Sequence, residues 1–389
     1  MATNIRAKNQ SSVGLFCFMV LLLLQSHVNS ARKLLPDPPV THNASKHSCK
    51  FVKVFQLGDS LADTGNLVTE SPRGGGALFN HFPYGITLGK STGRCSNGLL
   101  MIDYFASEFG VPYLSPYERV EDGANFDRGV NFAVAGATAL PLETLRAKNF
   151  PLGYIPTGSS LGVQLQWLSS HLNYTCQSRG EECQEELKNS LFLVGEIGGN
   201  DYNYGIVGNK SMAELYGLIP EVVQTIVDAV KAVIGLGATR VVVPGNFPIG
   251  CLPVYRDNPI DGSGGYDSKQ CLAGLNRLAI AHNEVLKEAI EQLKKEYPDT
   301  AIVYADYYNA FLSVLTNAEN LGFADKFSPC CGKAEARNPS AFCGAPGVTS
   351  SCPNPDDHIS WDGVHMTQQA YKFMADYLIT SISPQLNCS

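Results

Sequence analysis

No stretch of this chain is basic enough to hold a nucleic acid: Lys and Arg total 29 against 36 Asp and Glu, for a net charge of −7. Neutralising phosphates needs clustered positive charge, so a nucleic-acid partner is excluded. No apolar run reaches the roughly 20 residues that span a bilayer. The longest, Val13 to Leu24, follows Arg6 and Lys8 and precedes the small-residue segment Val28-Asn-Ser30. Such an order marks residues 1–30 as a secretory signal, with the extracellular space or the vacuole as destination. Cys-x-x-Cys pairs are absent from the 12 cysteines, which argues against a zinc site. No internal repeat and no break in composition suggests a second domain.

Cysteines themselves are plentiful, and in a secreted chain they read as disulfides. Cys17 leaves with the signal, so an odd number remains and one thiol stays free or pairs between chains. Adjacent Cys330 and Cys331 suit bridges to two different partners. Asn43, Asn173, Asn209 and Asn387 stand in glycosylation sequons. Residues 31–50, with Pro36-Asp-Pro-Pro39, read as a flexible leader, and the fold is expected to run from Phe51 to residue 389 as one domain.

Short apolar runs rich in β-branched residues recur near 51–57, 129–134, 190–197, 239–243 and 300–305, each bounded by turn formers. Between them lie helical patterns at 96–109, 161–172, 212–236, 272–297, 308–315 and 366–382. Alternation of this kind predicts a parallel sheet of about five strands with helices on both faces. In such sheets ligands lie beyond the carboxyl ends of the strands. Three strands stop there at residues suited to chemistry: Gly58-Asp-Ser60, Ala135-Gly-Ala137 and Gly198-Gly-Asn-Asp201. Residues 66–96, 138–160 and 322–360 read as long connections and candidate pocket walls.

A serine hydroxyl is a poor nucleophile until a base takes its proton. His42 and His47 fall in the leader, while His171 and His282 fall in helical patterns and read as packing or surface residues. His365 stands three residues after Asp362, a spacing that lets a carboxylate hold an imidazole tautomer. His358, beside Asp356 and Asp357, is the weaker base candidate. Read blandly, Ser60 and Asp362 are helix caps, and Asn200 is a turn residue. The Ser60 amide, the Gly136 amide and the Asn200 side chain are candidate donors to a developing oxyanion.

Gly58-Asp-Ser-Leu61 with Asp63-Thr-Gly-Asn66, Asn131-Phe-Ala with Gly136, Gly199-Asn-Asp201 and Asp362-x-x-His365 occur in that order across most of the chain. Together they resemble the four blocks of the GDSL esterase/lipase family of SGNH hydrolases. Pro248-Ile-Gly-Cys-Leu-Pro253, Tyr304-Ala-Asp-Tyr-Tyr308 and Trp361-Asp-Gly-Val-His-Met366 resemble its plant secreted branch, near members acting on phenolic-choline esters and alkaloid acetates. The resemblance implies a three-layer α/β/α fold, Ser60 as nucleophile, His365 as base, Asp362 as its orienter, and an oxyanion hole of Ser60, Gly136 and Asn200. It implies no metal or organic cofactor and a small-molecule ester as partner, and it leaves oligomeric state open. Cys176 with Cys183 and Cys251 with Cys271 are the disulfide candidates. The expected activity is a serine esterase on phenolic or acetyl esters. Its alternatives are an acyltransferase passing a hydroxycinnamoyl or other acyl group to an alcohol, and an inactive binding protein on the same fold.

Overall fold

Five apolar strands form one all-parallel sheet in the order β2-β1-β3-β4-β5. They are β1 (Val54–Leu57), β2 (Gly129–Asn131), β3 (Leu191–Val194), β4 (Arg240–Pro244) and β5 (Ala301–Ala305). Residues buried on both faces need no polar alternation, which is why runs such as Leu191-Phe-Leu-Val194 read as continuous apolar stretches. The register is regular: Phe55 pairs with Val130 on one side and Phe192 on the other, and Val242 pairs with Val303.

The computed structural model describes residues 49–71, 75–122, 124–260, 262–333 and 339–387, and these fall in one compact unit, Ser48–Ser389. The signal at 1–30, the leader up to residue 48 and the sequon at Asn43 lie outside the described residues, as does Ser389 of the last sequon. Asn173, Asn209 and Asn387 are exposed. Among the described residues no helix is long and apolar enough to cross a membrane.

Besides short helices at Leu142–Ala147 and Pro253–Arg256, the helices described are α1 (Asn66–Glu70), α2 (Met101–Phe109), α3 (Leu161–Cys176), α4 (Gly180–Lys188), α5 (Gly199–Val207), α6 (Met212–Gly235), α7 (Ala273–Glu296), α8 (Tyr307–Thr316) and α9 (Gln368–Ile382). On one face α3 lies against β1 and α6, and α6 lies against β3, β4 and α7; on the other, α9 packs on β5, α2 and α8. This is a three-layer α/β/α sandwich. The inward stripe of α6, Leu215, Leu218, Ile219, Val222, Val223 and Ile226, has the spacing of one helical face, and burying a single such side chain contributes about 1.5–3 kcal/mol. Ser211 and Glu214 start that helix with a reciprocal capping box.

Three segments differ from the reading of the sequence. The connection 66–96 opens with α1, because the Asp63 carboxylate takes the amides of Gly65, Asn66 and Leu67 and so nucleates a turn. The stretch 138–160 holds a helical turn at Leu142–Ala147. The third strand ends at Val194, and the residues from Gly199 onward form α5. Cys176–Cys183 and Cys251–Cys271 are bridged, as are Cys330–Cys352 and Cys331–Cys343. Adjacent Cys330 and Cys331 therefore do go to different partners, and Cys95 is a free, buried thiol.

Candidate active site

Ser60 follows β1 by three residues at the carboxyl edge of the sheet, and its turn is held from several sides. Gln164 of α3 accepts from the Gly58 amide at 2.8 Å and donates to the Gly58 carbonyl at 2.8 Å. The Asp59 amide donates to the Glu196 carbonyl at 3.1 Å, tying this turn to the one after β3. Beyond Ser60, the buried Asp63 carboxylate also takes the Ala135 amide at 2.8 Å, so it binds the turns after β1 and β2 together. Among the described residues the Ser60 hydroxyl makes no hydrogen bond.

His365 lies in the turn that precedes α9. Its Nδ1 sits 2.7 Å from Asp362 Oδ2, while Asp362 Oδ1 takes the amides of Val364 and His365 at 3.0 and 2.8 Å. Burial pushes the Asp362 carboxyl up, but His365 and those amides outweigh it and leave it below the ordinary carboxylate range. A carboxylate pinned this way holds the proton of the imidazole on Nδ1 and leaves Nε2 as the accepting nitrogen. The Tyr84 hydroxyl donates to the same Asp362 oxygen at 2.8 Å, and Phe79 stands edge-on to both Tyr84 and His365. Tyr84 was one aromatic among several in a long connection, and its bond to Asp362 left no local signal. The other histidines lie elsewhere. His282 bonds the Tyr202 hydroxyl in the core and His171 sits among Phe55, Tyr117, Phe126 and Phe132, and burial holds both near 4, as neutral rings.

The three oxyanion candidates also converge at this edge. Val134 donates to the Gly58 carbonyl, so the chain after β2 runs beside the serine turn and delivers Gly136 next to it. Gly136 has φ 84°, and a Cβ there would come within 2.3 Å of Pro156 and 2.9 Å of the Tyr204 hydroxyl, so only glycine fits. Neither its amide nor that of Ser60 donates to any acceptor among the described residues. Asn200, in the first turn of α5, gives its two N–H groups to Asp59 Oδ2 at 3.1 Å and the Ala137 carbonyl at 3.0 Å. Its carbonyl takes Asn203 Nδ2, and Asn203 in turn takes the Tyr255 hydroxyl at 2.8 Å. Asp201 holds the next stretch of backbone through the amides of Ala139 and Leu140.

Asp59 and Glu196 form a buried acid pair behind this network, in hydrogen-bond contact with one another. Burial raises Asp59 to about 7 despite the Leu61 amide and His365, and burial with the Asp59 charge pushes Glu196 well above its usual range. The pair therefore keeps a proton at neutrality, on Glu196, because Asp59 has the Leu61 and Asn200 donors that favour a carboxylate.

Beside Ser60 opens a pocket of about 390 Å³, its mouth included. Its apolar side is Leu61, Phe247, Ile249, Leu252, Val364 and Met366, and its polar side includes Glu196, Asn200 and Asn246. Among the described residues none of the connections 66–96, 138–160 and 322–360 lines it; the wall comes largely from the turn after β4, whose role the sequence did not reveal. The first two instead buttress the site from behind, through Tyr84 and the Asp201-bound residues. Among the described residues one cluster has metal-ligating side chains in reach of each other, Cys330, Cys352 and His358. Two of its members are bridged to each other and have no thiolate to offer.

A serine turn, a carboxylate-held imidazole and uncommitted amides above a parallel sheet are the parts that acyl-transfer hydrolases are made from. The family described as GDSL-like Lipase/Acylhydrolase matches residues 54–378, and the chain belongs to it. Among its relatives are Acetylajmalan esterase 1 and 2 of Rauvolfia serpentina. They are 42% identical over 88% of this chain and 89% of that protein, and 41% identical over 88% and 93%. GDSL esterase/lipase At5g45910 of Arabidopsis thaliana is 40% identical over 85% of this chain and 91% of its own. Membership makes the chain a carboxylic-ester hydrolase.

Proposed function

We propose that the protein is a secreted serine esterase that opens small acetyl or phenolic esters through an acyl-enzyme. The observation that carries the mechanism is the 2.7 Å bond between His365 Nδ1 and Asp362 Oδ2 in the turn that also lines the Ser60 pocket through Val364 and Met366. Ser60 Oγ attacks the ester carbonyl carbon as its proton passes to His365 Nε2, and Asp362 stabilises the imidazolium that results. The oxyanion lies against the Ser60 and Gly136 amides and takes one of the hydrogens that Asn200 gives to Ala137 or Asp59. Collapse expels the alcohol with the proton from His365. Water, deprotonated by the same nitrogen, then attacks the acyl carbon, and the acid leaves as Ser60 is regenerated.

Acetylajmalan esterases as relatives favour a small acyl group on a large alcohol. The disulfides Cys176–Cys183, Cys251–Cys271, Cys330–Cys352 and Cys331–Cys343 suit an oxidising compartment, with glycans on exposed Asn173 and Asn209. A fluorophosphonate probe tests the nucleophile. Wild-type protein is expected to be labelled and Ser60→Ala to stay unlabelled; a labelled Ser60→Ala protein overturns the assignment.

A further inference from the structure

Asn246 is a buried polar side chain that the chemistry above does not use. It follows β4, is 2% exposed, lines the Ser60 pocket, and has neither Oδ1 nor Nδ2 hydrogen-bonded among the described residues. Leaving a carboxamide unpaired in the interior costs about 1–3 kcal/mol for each group, so a position that tolerates it calls for a ligand. The backbone that carries it is held in place. Asn283 of α7 accepts from the Asn246 amide at 2.7 Å and donates to its carbonyl at 3.0 Å, which clamps the backbone and leaves the carboxamide free for something else. Across the pocket floor, Gly199 provides the room: a Cβ there would stand 3.1 Å from Asn246 Oδ1 and 3.2 Å from Glu196 Oε1.

We infer that Asn246 reads the substrate: its carboxamide hydrogen-bonds a neutral hydroxyl carried by the ester, on the part of the molecule seated against Phe247. This rests on the esterase reading for the identity of the ligand as an ester. The chemistry of the group follows from what is unpaired. Nδ2 needs an acceptor and Oδ1 needs a donor, and a hydroxyl supplies both. An ammonium donates only and leaves Nδ2 orphaned; a carboxylate accepts only and meets the charge of Asp59.

Matched esters test this: ethyl butyrate against ethyl 3-hydroxybutyrate, and propyl butyrate against 2-hydroxyethyl butyrate, with butyrylcholine as the cationic control. Wild-type protein is expected to favour the hydroxylated member of at least one pair by about tenfold or more in kcat/KM. Asn246→Leu, nearly isosteric, is expected to bring that ratio close to one. Its melting temperature is expected to stay level or rise, since an unpaired buried amide becomes an apolar side chain. Gly199→Ala, which crowds the carboxamide, is expected to lower the ratio in the same direction and keeps the test alive if the leucine variant fails to fold. A ratio near one in both wild-type pairs, a ratio that survives both variants, or a preference for butyrylcholine overturns the inference. Calorimetric binding of the same esters to Ser60→Ala protein separates the two claims. A hydroxyl preference in binding without any wild-type turnover sinks the esterase and keeps Asn246; turnover without preference does the reverse.

Discussion

Replacing Glu196 by Gln should stabilise the protein at neutral and alkaline pH and do little in acid. The Asp59 carboxyl is fully buried and titrates at about 7 in the fold, against an ordinary 3.8, and Glu196 is raised as well. A raised carboxyl pKa means that the folded state holds protons the unfolded chain gives up. For Asp59 the penalty is therefore absent below about pH 4, grows as the pH climbs and is complete above about 7, while that of Glu196 goes on growing for as long as the folded state keeps its proton. For Asp59 alone it amounts to on the order of 4 kcal/mol, the free-energy equivalent of that difference in pKa. The introduced carboxamide would keep a donor toward Asp59, as protonated Glu196 does, while removing the ionisation of Glu196. Guanidinium unfolding followed by tryptophan fluorescence at pH 4, 6 and 8, disulfides intact, measures the effect. The variant should match the wild type at pH 4 and exceed it by at least about 1 kcal/mol at pH 8. His171 and His282, held near 4, make both proteins gain stability as the pH rises toward 6.5, and Asp201, held at about 7, works the other way. These contributions cancel in the difference between the two proteins. An advantage equal at pH 4 and pH 8, or a variant weaker at pH 8, would refute the shared-proton description.

Tyr84→Phe removes one donor from the carboxylate that orients His365. A buried bond to a charged group contributes about 1.5–3 kcal/mol, so the melting temperature should fall and kcat, measured well below it, should fall roughly tenfold or more; a kcat within twofold of wild type would strip Tyr84 of a positioning role. Asn200→Ala should lower kcat by about 10²–10³ with a smaller change in KM, measured on any short-chain ester that the wild type hydrolyses. A defect confined to KM would move Asn200 from the oxyanion to substrate binding. Opening the Cys331–Cys343 bridge with paired serines should cost about 2–4 kcal/mol of stability. Thermal inactivation should track it, because the Cys331 amide bonds the Trp361 carbonyl next to Asp362.

The sheet was legible because burial on both faces leaves an unbroken apolar mark, as in Arg240-Val-Val-Val-Pro244, and the long helices because their inward stripes repeat at helical spacing. Helix α5 was not, since Gly198-Gly-Asn-Asp201 reads as punctuation and Gly205 interrupts the pattern; the turn is carried by buried bonds from Asp201 to Ala139 and Leu140. At the site, Asp362 and His365 stood out through a spacing of three, and Ser60, Gly136 and Asn200 through their places at strand ends. Tyr84, Gln164 and Asn246 did not. Gln164 looked like one more residue of α3, although it points inward with Leu161 and Leu168. Their roles lie in hydrogen bonds to distant backbone or in bonds left unmade, and neither kind imposes a period on the chain. The specificity wall was sought in the long connections because length suggests function, whereas the turn after β4 is short and gave no such signal.

The bond from Tyr84 to Asp362 closes a span of 278 residues, and α9, just beyond His365, is moored to the far end of the same span: Gln368 takes the Leu99 amide and gives its own to Asn97. A ribosome adding about 5–20 residues per second needs roughly 15 s to a minute to make that much chain. Throughout that interval the serine turn can already be folded on its sheet while the base that would activate it does not yet exist. On the proposed mechanism the chain is thus inert until His365 has been made, and a fragment ending between residues 84 and 362 holds Ser60 without Asp362 and His365 and is expected to be inactive.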